Sequence, residues 1–167
     1  MKLFYLLIFL NCYHVVNLEF SRVQETEKGF KFKSLNSYKS ALLEAKESNK
    51  KLFIYFTGYG DINSRKMEVE SFTSLEVKLL LQKNYLCFNT YLDDPAELPI
   101  EEQFFSRELN KKVKTIGQKF QDFQLSKFKS DKQPHFLIID NYGKVIMQRV
   151  GYQNKKELIL FLKNGAK

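Results

Sequence analysis

Apolar residues in this chain come in short unbroken runs and in stripes spaced three and four apart, and the change from one pattern to the other marks the elements. Leu35, Tyr38, Ala41, Leu42 and Ala45 follow the second pattern, which predicts an amphipathic helix over 35–46 with Ser34-Leu35-Asn36-Ser37 as its capping start. Glu47-Ser48-Asn49-Lys50 ends it. Leu52-Phe53-Ile54-Tyr55-Phe56 is a continuous apolar run bounded by polar residues and glycine, the pattern of a central strand in a parallel sheet buried on both faces. After Gly60 a helix is expected through Met67 and Val69 toward Phe72. A second follows, capped by Ser74, with Leu75, Leu79 and Leu80 sharing a face. Tyr85 to Leu92 reads as the next strand.

Residues 95–131 form a long charged insertion, with helices expected over 100–109 and 116–128. Its Phe104, Phe105, Phe120, Phe123 and Phe128 predict that it packs on the body of the domain. Pro134 opens a strand over 135–140, and Asn141-Tyr142-Gly143 turns it into Lys144 to Val150 as an antiparallel hairpin. Asn154 is placed to cap the last helix, whose core face includes Leu158, Ile159, Phe161 and Leu162 and which Gly165 is expected to stop.

At 167 residues and 44% apolar composition, one domain can bury a core without cross-links. The start is different in kind: Lys2 is followed by the apolar run Leu3 to Leu10, too short for a membrane span and right for an export signal. We read 1–18 as a signal peptide or N-terminal anchor, 19–33 as a linker or short edge strand, and 34–167 as the globular domain. No Ala-x-Ala cleavage site accompanies the signal, and Cys12, after Phe9-Leu10-Asn11, only loosely echoes a lipoprotein box. Either way the expected location of the domain is periplasmic or secreted, with membrane contact only through that segment. Cleavage after Cys12 leaves Cys87 as the one thiol, and no internal disulfide can form.

Formal net charge is +8, and Lys2 is the one charged residue in 1–18, which leaves +7 on the rest. Such a charge attracts anionic partners at long range. The lysines are scattered among acids, however, and no glycine-rich phosphate loop, RNA-binding aromatic motif or zinc spacing accompanies them. Nucleic-acid binding and a bound cofactor are therefore not expected.

The order helix, strand, helix, strand, insertion, hairpin, helix is that of a thioredoxin-like fold, an α/β fold with a central mixed sheet flanked by helices. The chain resembles the C-terminal thioredoxin-like domain of the thiol:disulfide interchange protein DsbD, in its Bacteroidetes-type form. The resemblance spans most of 35–163. It rests on Tyr38 with Ala41-Leu42 and Ala45-Lys46, Phe53 to Gly60, Arg65-Lys66-Met67-Glu68, Tyr91-Leu92-Asp93-Asp94, Thr115-Ile116-Gly117, Gln133-Pro134, and Asp140 through Gly143-Lys144. It implies an exported domain that passes electrons through a Cys-x-x-Cys pair and holds its partner's backbone beside a cis-proline, here Pro134. At the two positions of that pair this chain has Asp61 and Ser64.

A cysteine at a helix N-terminus is reactive because unpaired backbone N–H groups and the helix dipole favour its thiolate. Asp61 keeps the anion and loses the nucleophile, and a carboxylate there is also an ordinary N-cap worth about 1 kcal/mol. Ser64, His135 and Asp61 have the residue types of a hydrolytic triad, but with Pro134 facing the site, alternation along the strand turns His135 away. Asp61, Asn63, Asp93 and Asp94 offer oxygen ligands without the alternating spacing calcium needs, so no metal site is expected. Cys87, within Tyr85-Leu86-Cys87-Phe88, reads as a small buried hydrophobe.

What remains is a peptide groove, Tyr59 and Gly60 on one side and Gln133 and Pro134 on the other. The expected function is a non-catalytic binding or accessory module for another exported protein or peptide. The alternative is a thiol:disulfide exchange component of the cell envelope, the one enzymatic activity the resemblance allows.

Overall fold

The computed structural model describes residues 30–167. The expected signal segment 1–18 and residues 19–29 of the linker lie outside the described residues. The elements run β1 (Lys33–Ser34), α1 (Tyr38–Ser48), β2 (Lys51–Thr57), α2 (Ile62–Glu70), α3 (Leu75–Asn84) and β3 (Tyr85–Tyr91). A 3₁₀ turn (Ile100–Glu102), β4 (Phe104–Ser106), β5 (Lys111–Val113) and α4 (Ile116–Phe128) follow, then β6 (His135–Ile139), β7 (Val145–Val150) and α5 (Lys155–Ala166).

Five strands make one mixed sheet in the order β1-β3-β2-β6-β7. β2 pairs parallel with β3 and antiparallel with β6, so the apolar run 52–56 lies at the centre, every residue of it fully buried. Alternation along that run supplies two cores. Phe53 and Tyr55, with Phe136 and Ile138 of β6, face Met67 of α2, Val77 and Leu81 of α3, and Leu158, Phe161 and Leu162 of α5. Leu52, Ile54 and Phe56, with Leu137 and Ile139, face Ala41 and Ala45 of α1 and Phe128 of α4. The thioredoxin-like layering of helices on both faces of a mixed sheet follows from that division.

Several expectations are corrected. Residues 100–109 are not a helix: after the 3₁₀ turn the chain forms the β4–β5 hairpin, closed through Asn110 at φ 49°. Phe104 and Phe105 are exposed on that hairpin, whereas Phe120 and Phe123 pack against the second core and Phe128 is buried in it. On α3 the buried apolar residues are Val77 and Leu81, with Leu80 partly covered; Leu75 and Leu79 are exposed, and Ser74 makes no side-chain capping bond. Helix α1 begins at Tyr38 behind the Ser37 cap, and Leu35 is buried ahead of it. By contrast, the described end of 19–33 keeps one of its two expected forms, the short edge strand: Lys33–Ser34 pairs with β3 and Phe32 meets the Phe72 ring edge-on.

Gly165 does not stop α5 but lies within it, buried where the helix crosses β6. A Cβ there would strike Ile138 Cδ1 and crowd the Tyr85 hydroxyl, so glycine is required by the close approach and not by a turn.

Candidate functional site

The site forms where β2 and β3 end side by side. Leu92 N donates to Thr57 O at 2.8 Å, which holds the two strand ends together, and the chain after β2 then turns through Gly58-Tyr59-Gly60 into α2. Asp93 fastens this turn: its carboxylate accepts from Tyr59 N at 2.8 Å and Gly60 N at 2.9 Å. Gly58 lies against the side-chain amide of Gln133, the residue whose peptide bond to Pro134 is cis. A Cβ at Gly58 would meet Gln133 Oε1 and press on Asp93, so a side chain here would have to push the Gln133 amide aside.

Asp61 is the N-cap of α2, accepting from Ser64 N at 3.0 Å, and the Ser64 hydroxyl donates to the same carboxylate oxygen. Ser64 is fully buried. The two residues that stand where a dithiol pair would stand are thus bonded to each other, and neither offers a nucleophile to solvent. Behind them Arg65 donates to Thr57 Oγ1 at 2.9 Å and Glu68 Oε1 at 2.7 Å. Burial raises the Glu68 carboxyl above its usual range, with Arg65 and then Tyr55 opposing the shift.

His135 is not part of this group. It stacks on Phe56 and is fully buried on the second-core side of the sheet, its Nδ1 3.0 Å from Gln124 Nε2 and its Nε2 3.2 Å from Gln148 Oε1. An amide oxygen accepts, so Nε2 carries the proton and Nδ1 accepts from the Gln124 amide: a neutral imidazole satisfies both bonds. Burial lowers its pKa, with the Gln148 bond opposing. Asp61, Ser64 and His135 therefore make no triad.

The four oxygen-bearing residues weighed for calcium are also dispersed in role. Both oxygens of Asp93 face backbone N–H groups, Asp94 Oδ1 accepts from Ala96 N at 2.9 Å, Asp61 caps α2, and Asn63 is exposed. Among the described residues no group of three or more His, Cys, Asp or Glu is arranged to hold a metal.

Cys87 lies in β3 opposite Phe53, four residues before Thr57 at the site end of β2, or roughly 13 Å along the strand. It is buried in the first core, and burial pushes its thiol well above the ordinary range, with Lys50 opposing only in part.

Of the four residues expected to edge a groove, Gln133 reaches the β2–α2 turn at Gly58, next to Tyr59 and Gly60. Pro134 O accepts from Gly151 N at 2.8 Å, which ties the proline turn to the loop after β7. Two features of the site escaped the sequence reading. One is the Asp93 clamp. The other is a stack of Tyr59 on Tyr91, ring centroids 4.0 Å apart and planes within 9°, with the Arg65 guanidinium 5.5 Å from the Tyr91 centroid. The signal for the stack was available, because Tyr91 is in register with Thr57 once β2 and β3 are paired in parallel.

This sheet order, with α2 opening at the end of the central strand and a cis-proline turn facing it, defines the thioredoxin class of fold. The chain belongs to the thioredoxin-like domain family, whose model matches residues 38–166. Solved structures agree on the fold. The DsbH oxidoreductase is 18% identical with a TM-score of 0.61, over 84% of this chain and 87% of that one. The C-terminal domain of Neisseria meningitidis DsbD, in its oxidised form, is 12% identical with a TM-score of 0.55, over 80% and 97%. A thioredoxin from Thermus thermophilus is 14% identical with a TM-score of 0.57, over 81% and 86%. No curated protein matches the chain in sequence. Within this family the chain is a member whose Cys-x-x-Cys pair is replaced by Asp61 and Ser64.

Proposed function

We propose that this protein is an exported, non-catalytic thioredoxin-fold module that holds an extended segment of another exported protein. The observation that carries the reading is the mutual closure of Asp61 and Ser64 beside the turn that Asp93 fastens and Gln133 meets. Where electron transfer needs two thiols there is a hydrogen-bonded pair without sulfur, Ser64 buried and Asp61 capping the helix, while Gly58, the Asp93 clamp and the cis Gln133–Pro134 turn remain. An extended segment laid along the proline turn is held by main-chain hydrogen bonds, which require no chemistry of residues 61 and 64. The apolar run Leu3 to Leu10 supports export, and no helix among the described residues is long and apolar enough to cross a membrane.

The test is insulin reduction with dithiothreitol, on the full chain and on the double substitution Asp61→Cys with Ser64→Cys. The native chain is expected to give the uncatalysed rate and the double variant a clear acceleration, because the helix N-terminus that activates a thiol is intact. Acceleration by the native chain would overturn the non-catalytic reading and make Cys87 the residue to explain.

A further inference from the structure

The groove is edged by an aromatic ring that the described fold leaves open. Tyr59 stacks on Tyr91 yet keeps 55% of its surface exposed. The stack restricts the ring before anything binds, so a ligand that packs on its remaining surface need not order it. The neighbouring Arg65 guanidinium, also against Tyr91, is committed to Thr57 and Glu68.

Charge selects the occupant. The turn 58–64 and the strand end 91–94 contain Asp61, Asp93 and Asp94 and no lysine or arginine, in a chain whose formal charge is +8, with Arg65 directly after the turn. Asp61 is turned into its cap, and Asp93 and Asp94, whose carboxylates accept from backbone N–H groups, lie next to the ring. Their field reaches it: the Tyr59 hydroxyl is raised by partial loss of water and then by Asp94, Tyr91 and Asp93, against an opposing Arg65. An aromatic face in a negative field attracts a cation and disfavours an anion.

We infer that Tyr59, with Asp93 and Asp94 beside it, is the recognition point for a lysine or arginine side chain of the polypeptide held in the groove. The inference rests on the groove reading above and adds the chemistry of the partner. The cation lies on the open surface of the Tyr59 ring within reach of the two carboxylates, while the backbone that carries it is held at Gln133.

The experiment is titration of the isotope-labelled full chain, followed by amide NMR, with three capped heptapeptides that differ only in a central Arg, Lys or Gln. All three are expected to shift Gly60 and Gln133, with the Arg and Lys peptides binding about tenfold tighter than the Gln peptide. Tyr59→Ala should bring the three affinities together, Tyr59→Phe should preserve the difference, and Asp94→Asn should narrow it. Equal affinities with shifts at Gly60 and Gln133 would overturn the cation site and leave the groove reading standing. A tenfold preference that survives Tyr59→Ala would place the cation elsewhere and overturn it too. Absence of any shift at Gly60 and Gln133 would overturn the groove reading and this inference together.

Discussion

Asp61 and Cys87 divide between them what one reactive cysteine would combine. Asp61 has the environment: it stands partly exposed at the start of α2, where backbone N–H groups and the helix dipole favour an anion. Cys87 has the sulfur, but in mid-strand, buried against Phe53 and Leu81 and with its thiol held protonated. The difference teaches that reactivity belongs to neither the position nor the atom alone. A thiolate needs donors and solvent to stabilise its charge, and in this chain those lie one strand and roughly 13 Å away from the only described thiol.

The largest effect that would break this comparison is at Cys87. Its reaction with an aromatic disulfide reagent should be slower in the folded chain than in the urea-unfolded chain by on the order of a thousandfold, because access requires opening of the core. Comparable rates in the two states would mean that the thiol is accessible.

His135 sharpens the comparison next, as the base that the site does not have. Burial lowers its folded pKa, so between the folded value and the unfolded value of about 6.5 the unfolded chain binds more protons. Stability is then complete above that window and falls as pH drops through it, by up to about 1.4 kcal/mol per pH unit. Urea unfolding of the native chain and of His135→Gln at several pH values should show that slope in the first and its reduction in the second. An equal slope in both would place the titration at another group.

The smallest effect is at the cap itself. Asp61→Ala should cost about 1 kcal/mol in urea unfolding, and Asp61→Asn much less, since an amide oxygen also accepts from the Ser64 N–H. No loss in the alanine variant would remove the capping account of why a carboxylate stands here.

The parts of the fold legible in the sequence are those where one pattern had no rival. The run 52–56 admits only a strand buried on both faces, and the Asn141-Tyr142-Gly143 turn admits little besides a hairpin, with Gly143 at φ 89° and Asp140 accepting from Tyr142 N and Lys144 N. Helix α3 misled because it is apolar on two sides: Leu75 and Leu79 make one stripe and Val77 and Leu81 another, and packing against α5 and the sheet chose the second. In 100–109 a helical spacing of Ile100 and Phe104 arose by chance on a short hairpin, whose pairing of Phe104 with Val113 is set by residues outside the window. At the site, the replacement at 61 and 64 was visible through the family resemblance. The Asp93 clamp was not, because a carboxylate at a strand end carries no mark of which amides it will meet.

That clamp also bears on the order in which the molecule assembles. Its two hydrogen bonds join residues 34 and 33 positions apart in the chain, and they can close only after α2 and α3 have brought β3 alongside β2. Closing such a span costs chain entropy that local contacts cannot recover, so the turn at Tyr59 takes its shape with the sheet and not before it. A half-folded chain, or one emerging from a translocation pore, would present no finished groove. If the turn holds a partner as proposed above, its capture is confined to copies that have completed their own folding.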